Sequence, residues 1–368
     1  MTGSPFQKML LAILVGAAAV VLLLNFVGSR AKPEPQAPPK ISRAAQEFHY
    51  TPPAPKISAA TNSEETETET DPYASLKIPR EQAEAWLAKH HRNAASLLAV
   101  FRAQHDTNYL NEAATNFPGD PRVQLAILSA DAFPAERRKW LDAFKQSSPS
   151  NSLANYFSAQ NYFKEGKNEE AVQELLAASG KPQFDNHAIE NQLDAEELYT
   201  DSGKSARDVA TLGLSSLVEE DEPQLSSLKQ VDMGIADLMK QKTDSGDASS
   251  AANLAQMGLS LADKINSGDS GKIFINQLVG MATEAIMLNA LEKNMSYDFL
   301  DGQTPAQALA ALKEQKKEMR QLAENISLVL PQMSEAEMAS FAQRQKIYGE
   351  IEAFKWAIQL HPPADAQK

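Results

Sequence analysis

Histidines are the side chains in this sequence best suited to metal binding or proton transfer, and their spacing argues against both roles. His90 and His91 are adjacent, so on a helix they point about 100° apart and cannot bind one metal ion as an i, i+4 pair does. The others are scattered along the chain as His49, His105, His187 and His361. The pattern predicts solvated surface histidines and no metal site.

The stretch 268–272 ends in glycine and lysine, as a phosphate-binding loop does. It lacks the first glycine at the required spacing, and Ile273 stands where serine or threonine would hold magnesium. We interpret it as the start of a helix. The chain contains no cysteine, which excludes thiolate nucleophiles, disulfides and cysteine-ligated metals. The sequence therefore predicts no enzymatic activity and no cofactor.

The overall composition limits the kinds of partner. The chain has 368 residues, of which 43% are hydrophobic, enough for about two domains with a sizeable core. Its formal net charge is −13, whereas a nucleic-acid-binding protein needs a basic surface to meet the phosphates. The composition thus disfavours nucleic acid as a partner and leaves the oligomeric state open.

Residues 9–27 form a long apolar run that predicts a transmembrane helix, so the lipid bilayer is the first expected partner. At about 1.5 Å per residue the run spans about 28 Å, close to the thickness of the hydrocarbon core. Signal peptides usually have a shorter apolar region that ends in a small-x-small cleavage site, whereas Phe26 and Arg30 lie at this end. We therefore predict a retained anchor in residues 1–28.

The location follows from this anchor. The N-terminal flank of the apolar run is very short, which favours a large C-terminal part outside the cytoplasm. The prediction is a single-pass protein of the bacterial inner membrane with an extracytoplasmic domain. Secretion after signal-peptide cleavage is the alternative.

Residues 29–72 have a different composition, rich in proline and then in acidic side chains between Glu64 and Asp71. Prolines oppose helix formation, and a run of like charges repels itself and has little to bury. We predict a disordered linker that holds the following domain clear of the bilayer. A docking segment around residues 48–50 is the alternative.

From Ile78 onward the pattern is helical almost throughout, and one stretch has a specific spacing. Ala159 and Ala171 are small where two antiparallel helices would approach closely. Gly166 would end the first helix, and Tyr162 and Leu175 would fill the space between the two. The stretch therefore predicts a helical hairpin.

This spacing resembles the tetratricopeptide repeat (TPR), a helix–turn–helix unit of about 34 residues. The resemblance is good over residues 152–182 and weaker over the rest of 90–190. It implies a right-handed array of helical hairpins in a domain of residues 73–218. Hairpins without true repeat geometry are the alternative.

In repeats of this family the first helix lines a groove that binds protein or peptide, so the resemblance implies a partner surface on the first helix of this hairpin. Tyr156, Gln160 and Lys164 follow one another at i, i+4 and i+8, offset from the packing positions Ala159 and Tyr162. We take these three residues as the predicted partner-binding face. An ordinary exposed helix face is the alternative.

The C-terminal part, residues 219–361, predicts a helical bundle followed by a disordered tail in 362–368. Predicted helices cover 223–242, 247–266, 270–294, 304–330 and 334–360. The helix at 270–294 is apolar nearly all round and is predicted to be central; polar residues interrupt it too often for a second membrane span. Thr304 followed by Pro305, and Ser334 followed by Glu337, mark two helix starts.

Taken together, the sequence predicts an all-α fold with an N-terminal transmembrane helix, a disordered linker, a TPR-like array and a C-terminal helical bundle. The function that fits this layout is a membrane-tethered scaffold or adaptor that binds a protein or peptide in the cell envelope. The alternatives are a helical module of an enzyme and a self-assembling structural protein.

Overall fold

A computed structural model of the chain describes residues 77–363, apart from the side chains of residues 214–222. In this part of the chain all regular secondary structure is helical, which confirms the all-α prediction there. None of the described helices is both long and apolar enough to span a bilayer. The predicted transmembrane helix and linker, and residues 364–368 of the predicted tail, lie outside the described residues.

The first eight helices are short and follow one another through tight turns. They are α1 (Arg80–Lys89), α2 (Ala94–Gln104), α3 (Thr107–Asn116), α4 (Pro121–Ala130), α5 (Arg137–Ser147), α6 (Leu153–Lys164), α7 (Asn168–Ser179) and α8 (Ala188–Asp201). The later helices are mostly longer: α9 (Ala206–Asp244), α10 (Ala248–Ile265), α11 (Phe274–Ala290), α12 (Pro305–Val329), α13 (Glu335–Tyr348) and α14 (Glu350–Leu360). Short 3₁₀ turns precede α5, α11 and α12, and a further one follows α12.

Local sequence signals explain where several helices begin and end. The side chains of Asn93, Asp106, Asp120, Ser205 and Asp247 cap the starts of α2, α3, α4, α9 and α10 by accepting backbone N–H bonds. Capping boxes at Thr304 and Ser334 start α12 and α13, as predicted. Gly166 has a φ of +71° and follows the end of α6, which confirms its predicted role.

The predicted hairpin is present as α6 and α7. Ala159, Ala171 and Leu175 are completely buried between the two helices, as their spacing predicts. The base of the hairpin is tied together by Asn151, whose Nδ2 donates to the carbonyl of Asp185 at 2.7 Å. Its Oδ1 accepts from the Asp185 amide at 3.1 Å, so one side chain joins the segments before α6 and after α7.

The long helix α9 differs most from the prediction. A helix was expected to begin at Pro223, but α9 runs unbroken from Ala206 to Asp244 with that proline inside it. Proline removes one helical hydrogen bond and usually kinks or ends a helix. Here α9 contacts five other helices, α6, α8, α10, α11 and α13. We infer that this packing keeps the parts before and after Pro223 in one helix.

The described helices share two hydrophobic cores, and these do not follow the predicted boundary between residues 218 and 219. That boundary falls within α9. The C-terminal part of α9 and all of α10 pack into the core of the N-terminal hairpins. The second core combines the start of α11 with α12, α13 and α14. The buried amides of Gln192 on α8 and Gln345 on α13 pair at 3.1 Å and connect the two parts.

The predicted helix over 334–360 is two helices, because it breaks at Gly349. This glycine has a φ of +91° and a ψ of 165°, a region that is essentially restricted to glycine. A Cβ atom added there would lie 3.1 Å from the carbonyl oxygen of Lys272. The break lets Glu350, the next residue, accept a hydrogen bond from the Phe274 amide at the start of α11.

Gly349→Ala should therefore destabilise the fold. The backbone strain and the close contact with Lys272 lead us to expect a loss of about 1–3 kcal/mol in the free energy of unfolding. Urea denaturation followed by circular dichroism measures it. Gly119→Ala is the matched control, because a Cβ atom there meets nothing within 4 Å. Equal midpoints for the two variants would contradict the assigned strain at Gly349.

Candidate functional site

The predicted partner-binding face is not a continuous surface in the structure. Tyr156 is 0% exposed and Gln160 is 2% exposed, so both lie in the interior. Lys164, at the end of α6, is exposed as expected. The prediction that Tyr156 and Gln160 lie on an exposed helix face was therefore wrong, although both residues do lie in a helix.

The helix that covers this face is α9 of the same chain. Gln160 donates from Nε2 to Oε1 of Gln230 at 2.9 Å. Three residues further along α6 and four further along α9, Gly234 faces the ring of Phe163 so closely that a Cβ atom would lie 2.6 Å from a ring carbon. The inner face of the α6–α7 hairpin is thus occupied by α9, and the resemblance could not reveal this because the two segments are distant in sequence.

Beside Tyr156, α9 carries the buried carboxyl group of Asp232. Thr283 on α11 donates to its Oδ2 at 2.6 Å, while its Oδ1 is enclosed with no hydrogen-bond partner among the described residues. Burial raises the pKa of Asp232 to about 7, and the hydrogen bond from Thr283 opposes this only in part. Burial also raises the pKa of the Tyr156 hydroxyl, and the nearby Asp232 adds to it.

An open groove runs along the outer side of α5, next to the hairpin. It has a volume of about 530 Å³ and is lined by Lys139, Asp142, Ala143, Lys145 and Gln146; we call it the α5 groove. Ala143 is the only apolar residue that lines it, and the aliphatic parts of the longer side chains add further apolar surface. The basic composition of α5 is visible in the sequence, although it matches no motif.

A hydrogen-bond network from α6 and α7 holds the inner side of the α5 groove in place. Glu174, with a side chain 15% exposed, forms an ion pair with Lys145, whose side chain is 22% exposed. Ser158 donates to Oε1 of Glu174 at 3.0 Å, and Asn155 donates to Oε2 at 2.7 Å. One carboxylate therefore fixes the side chain of Lys145 and joins three helices.

Three of the described histidines, His90, His187 and His361, are less solvated than predicted, whereas His91 and His105 are exposed as predicted. His90 is half-buried, with its ring stacked on Trp86 at a centroid distance of 4.1 Å and its Nε2 3.5 Å from a carboxylate oxygen of Asp201. Lys89 and the Trp86 indole also bind Asp201, so this cluster fastens α1 to the end of α8. The contacts explain His90 as a structural residue.

His187 lies close to the acidic side chains of Asp185 and Glu190. One potential ligand atom from each of Asp185, His187 and Glu190 lies within 4.8 Å of the others, an arrangement that could hold a metal ion. Asp185 accepts from the His187 backbone amide at 2.8 Å, so the turn that starts α8 accounts for this grouping on its own.

Comparison with known proteins gives no relative for this chain. No family model, no curated protein and no solved structure matches it.

Asp232 should make stability depend on pH. Because its pKa is raised to about 7 in the folded state, the folded chain keeps a proton that the unfolded chain releases near pH 4. The contribution of Asp232 to the free energy of unfolding should have its full value below about pH 4 and should fall as the pH rises toward about 7. Asp232→Asn removes this ionisation, so the variant should lose less stability than the wild type between pH 5 and pH 8.

Thermal unfolding at several pH values measures this difference. Asp237→Asn, an exposed position on the same helix, is the control and should follow the wild type. The variant will keep some pH dependence, because burial also raises the pKa of Glu350 to about 7. Parallel pH profiles for Asp232→Asn and the wild type would refute the assignment.

Proposed function

We propose that this protein is a membrane-tethered scaffold or adaptor that binds another protein in the cell envelope and has no catalytic activity. The apolar run at 9–27 would anchor the chain in the inner membrane, with the helical domain on the extracytoplasmic side. We also infer that the α6–α7 hairpin is a TPR-like unit, on the basis of its buried Ala159, Ala171 and Leu175.

The α5 groove is the observation that carries this proposal. Repeat hairpins commonly bind partners along an exposed helix face. In this chain α9 covers the inner face of α6, so a partner must dock elsewhere. The α5 groove is open, and its Lys145 donates hydrogen bonds to Ser158 on α6 and Glu174 on α7, two neighbouring helices.

Site-specific photo-crosslinking in intact cells tests the proposal. A photoreactive amino acid replaces Gln146, an exposed residue that lines the α5 groove, in the full-length chain expressed in its native cells. We expect crosslinked adducts of higher mass that contain a second protein. The same substitution at Gln359, an exposed position on α14, is the control and should give none.

Two results would contradict the proposal. One is the absence of adducts at Gln146 under conditions in which the probe is incorporated and the chain reaches the membrane. The other is an identical set of adducts at Gln146 and Gln359, which would indicate random collision.

A further inference from the structure

The connection between α11 and α12 carries an exposed asparagine that is followed two positions later by a serine. Asn294, Met295 and Ser296 form the Asn-x-Ser triplet that accepts N-linked glycans in proteins outside the cytoplasm. The same triplet occurs once more in the chain, at residues 325–327. Because such triplets arise often by chance, the structural setting of each decides whether a glycosylating enzyme can reach it.

The first triplet lies in an exposed turn. All of residues 292–296 are exposed, and the Met295 backbone amide donates to the carbonyl of Glu292 at 3.2 Å, as in a β-turn with Asn294 at its third position. Neither the side-chain amide of Asn294 nor the hydroxyl of Ser296 forms a hydrogen bond with a described residue. Both groups that such an enzyme must contact are therefore open to solvent.

The turn is anchored on both sides. Leu291 and Tyr297, which flank the exposed residues, are both buried. The Lys293 carbonyl accepts from the Ala306 amide at the start of α12 at 3.1 Å, and the Tyr297 amide donates to the carbonyl of Gln303 at 3.3 Å. Asn294 is therefore presented to solvent by the folded protein itself.

The second triplet lies inside α12 and has the opposite setting. Ile326, its middle residue, is 0% exposed and belongs to the core formed by α11 to α14. Asn325 and Ser327 are half-buried, and the Ser327 hydroxyl donates to the carbonyl of Glu324 at 2.7 Å. An enzyme would have to unwind α12 to reach Asn325, so this triplet serves as an internal comparison.

The two triplets also differ in charge. Glu292 lies two positions before Asn294, is exposed and forms no ion pair with a described residue. Its carboxylate is thus available to a basic group of an enzyme, whereas the uncharged Ala323 lies two positions before Asn325. We propose, building on the extracytoplasmic location inferred above, that Asn294 is a site of N-linked glycosylation.

The reaction requires an oligosaccharyltransferase and a glycan carried on a membrane-bound polyprenyl diphosphate. The bond between the anomeric carbon of the glycan and the diphosphate oxygen breaks, and a bond forms between that carbon and Nδ2 of Asn294. The polyprenyl diphosphate leaves, and one proton of Nδ2 passes to a base of the enzyme. An anchor at residues 9–27 would hold the acceptor near the membrane that contains this donor, which raises its effective concentration there.

Mass spectrometry of the peptide that contains Asn294 tests the inference, with full-length protein purified from its native cells. We expect an added mass on Asn294 that equals a whole number of sugar units. Asn294→Gln and Ser296→Ala should abolish it, whereas Ser296→Thr should retain it because threonine also completes the triplet. Asn325→Gln is the matched control and should leave the added mass on Asn294 unchanged.

An unmodified Asn294 in the wild type would overturn the inference, and so would an added mass that persists in Ser296→Ala. Gln359→Cys, at an exposed position of a chain without native cysteine, reports the location separately. Its thiol should react with a membrane-impermeant maleimide added to spheroplasts. Labelling without a glycan rejects only the glycosylation, whereas the absence of both rejects the extracytoplasmic location as well. A glycan on Asn294 without protein adducts at Gln146 would keep this inference and reject the scaffold function.

Discussion

The packing of α9 against the short hairpins is the interaction on which the described fold depends. A hairpin of two short amphipathic helices cannot bury its apolar faces by itself, and its stability comes from neighbouring elements. On α9, Leu228, Val231, Ile235 and Met239 recur at helical spacing and are almost completely buried. Burial of a large aliphatic side chain contributes about 1.5–3 kcal/mol, so this stripe alone is a major stabilising contact.

The same packing determines which polar groups are enclosed. Because α9 lies directly on α6, the amide of Gln160 and the phenol ring of Tyr156 lose solvent and become part of the interior. Asp232 is enclosed with them and has Thr283 as its hydrogen-bond donor. A buried carboxyl group without a positively charged partner favours its protonated form. The stability of the packing between α6 and α9 should therefore depend on pH. The α5 groove, on the other side of the hairpin, remains open.

Local features of the fold could be predicted from the sequence because they depend on residues close in the chain. The capping boxes at Thr304 and Ser334, and the helix end at Gly166, follow from side chains within three or four positions. The close approach of the α6–α7 hairpin follows from Ala159 and Ala171. Gly349 also carries a local signal for a break, but the apolar pattern around it predicted one long helix.

The environment of the predicted site could not be obtained in this way. Tyr156, Gln160 and Lys164 lie on one face of α6, and the sequence does not show that α9, some 70 positions away, covers two of them. Nor does it show that α9 continues through Pro223, because tertiary packing outweighs the local effect of proline there. The α5 groove left a detectable signal, since Lys139 and Lys145, which line it, belong to a helix with four basic side chains in an acidic chain.

A disulfide between α6 and α9 tests the central contact most directly, and the absence of native cysteine makes the experiment clean. A Cβ atom at Gly234 would lie 2.8 Å from Cγ of Phe163, close to the separation between a Cβ atom and the partner sulfur in a disulfide. The double variant Phe163→Cys/Gly234→Cys should therefore form an intramolecular disulfide under mild oxidation, seen by mass spectrometry. Phe163→Cys/Met233→Cys, which uses the neighbouring exposed position, should not. A disulfide in the second pair but not in the first would show that α9 does not pack on α6 in this register.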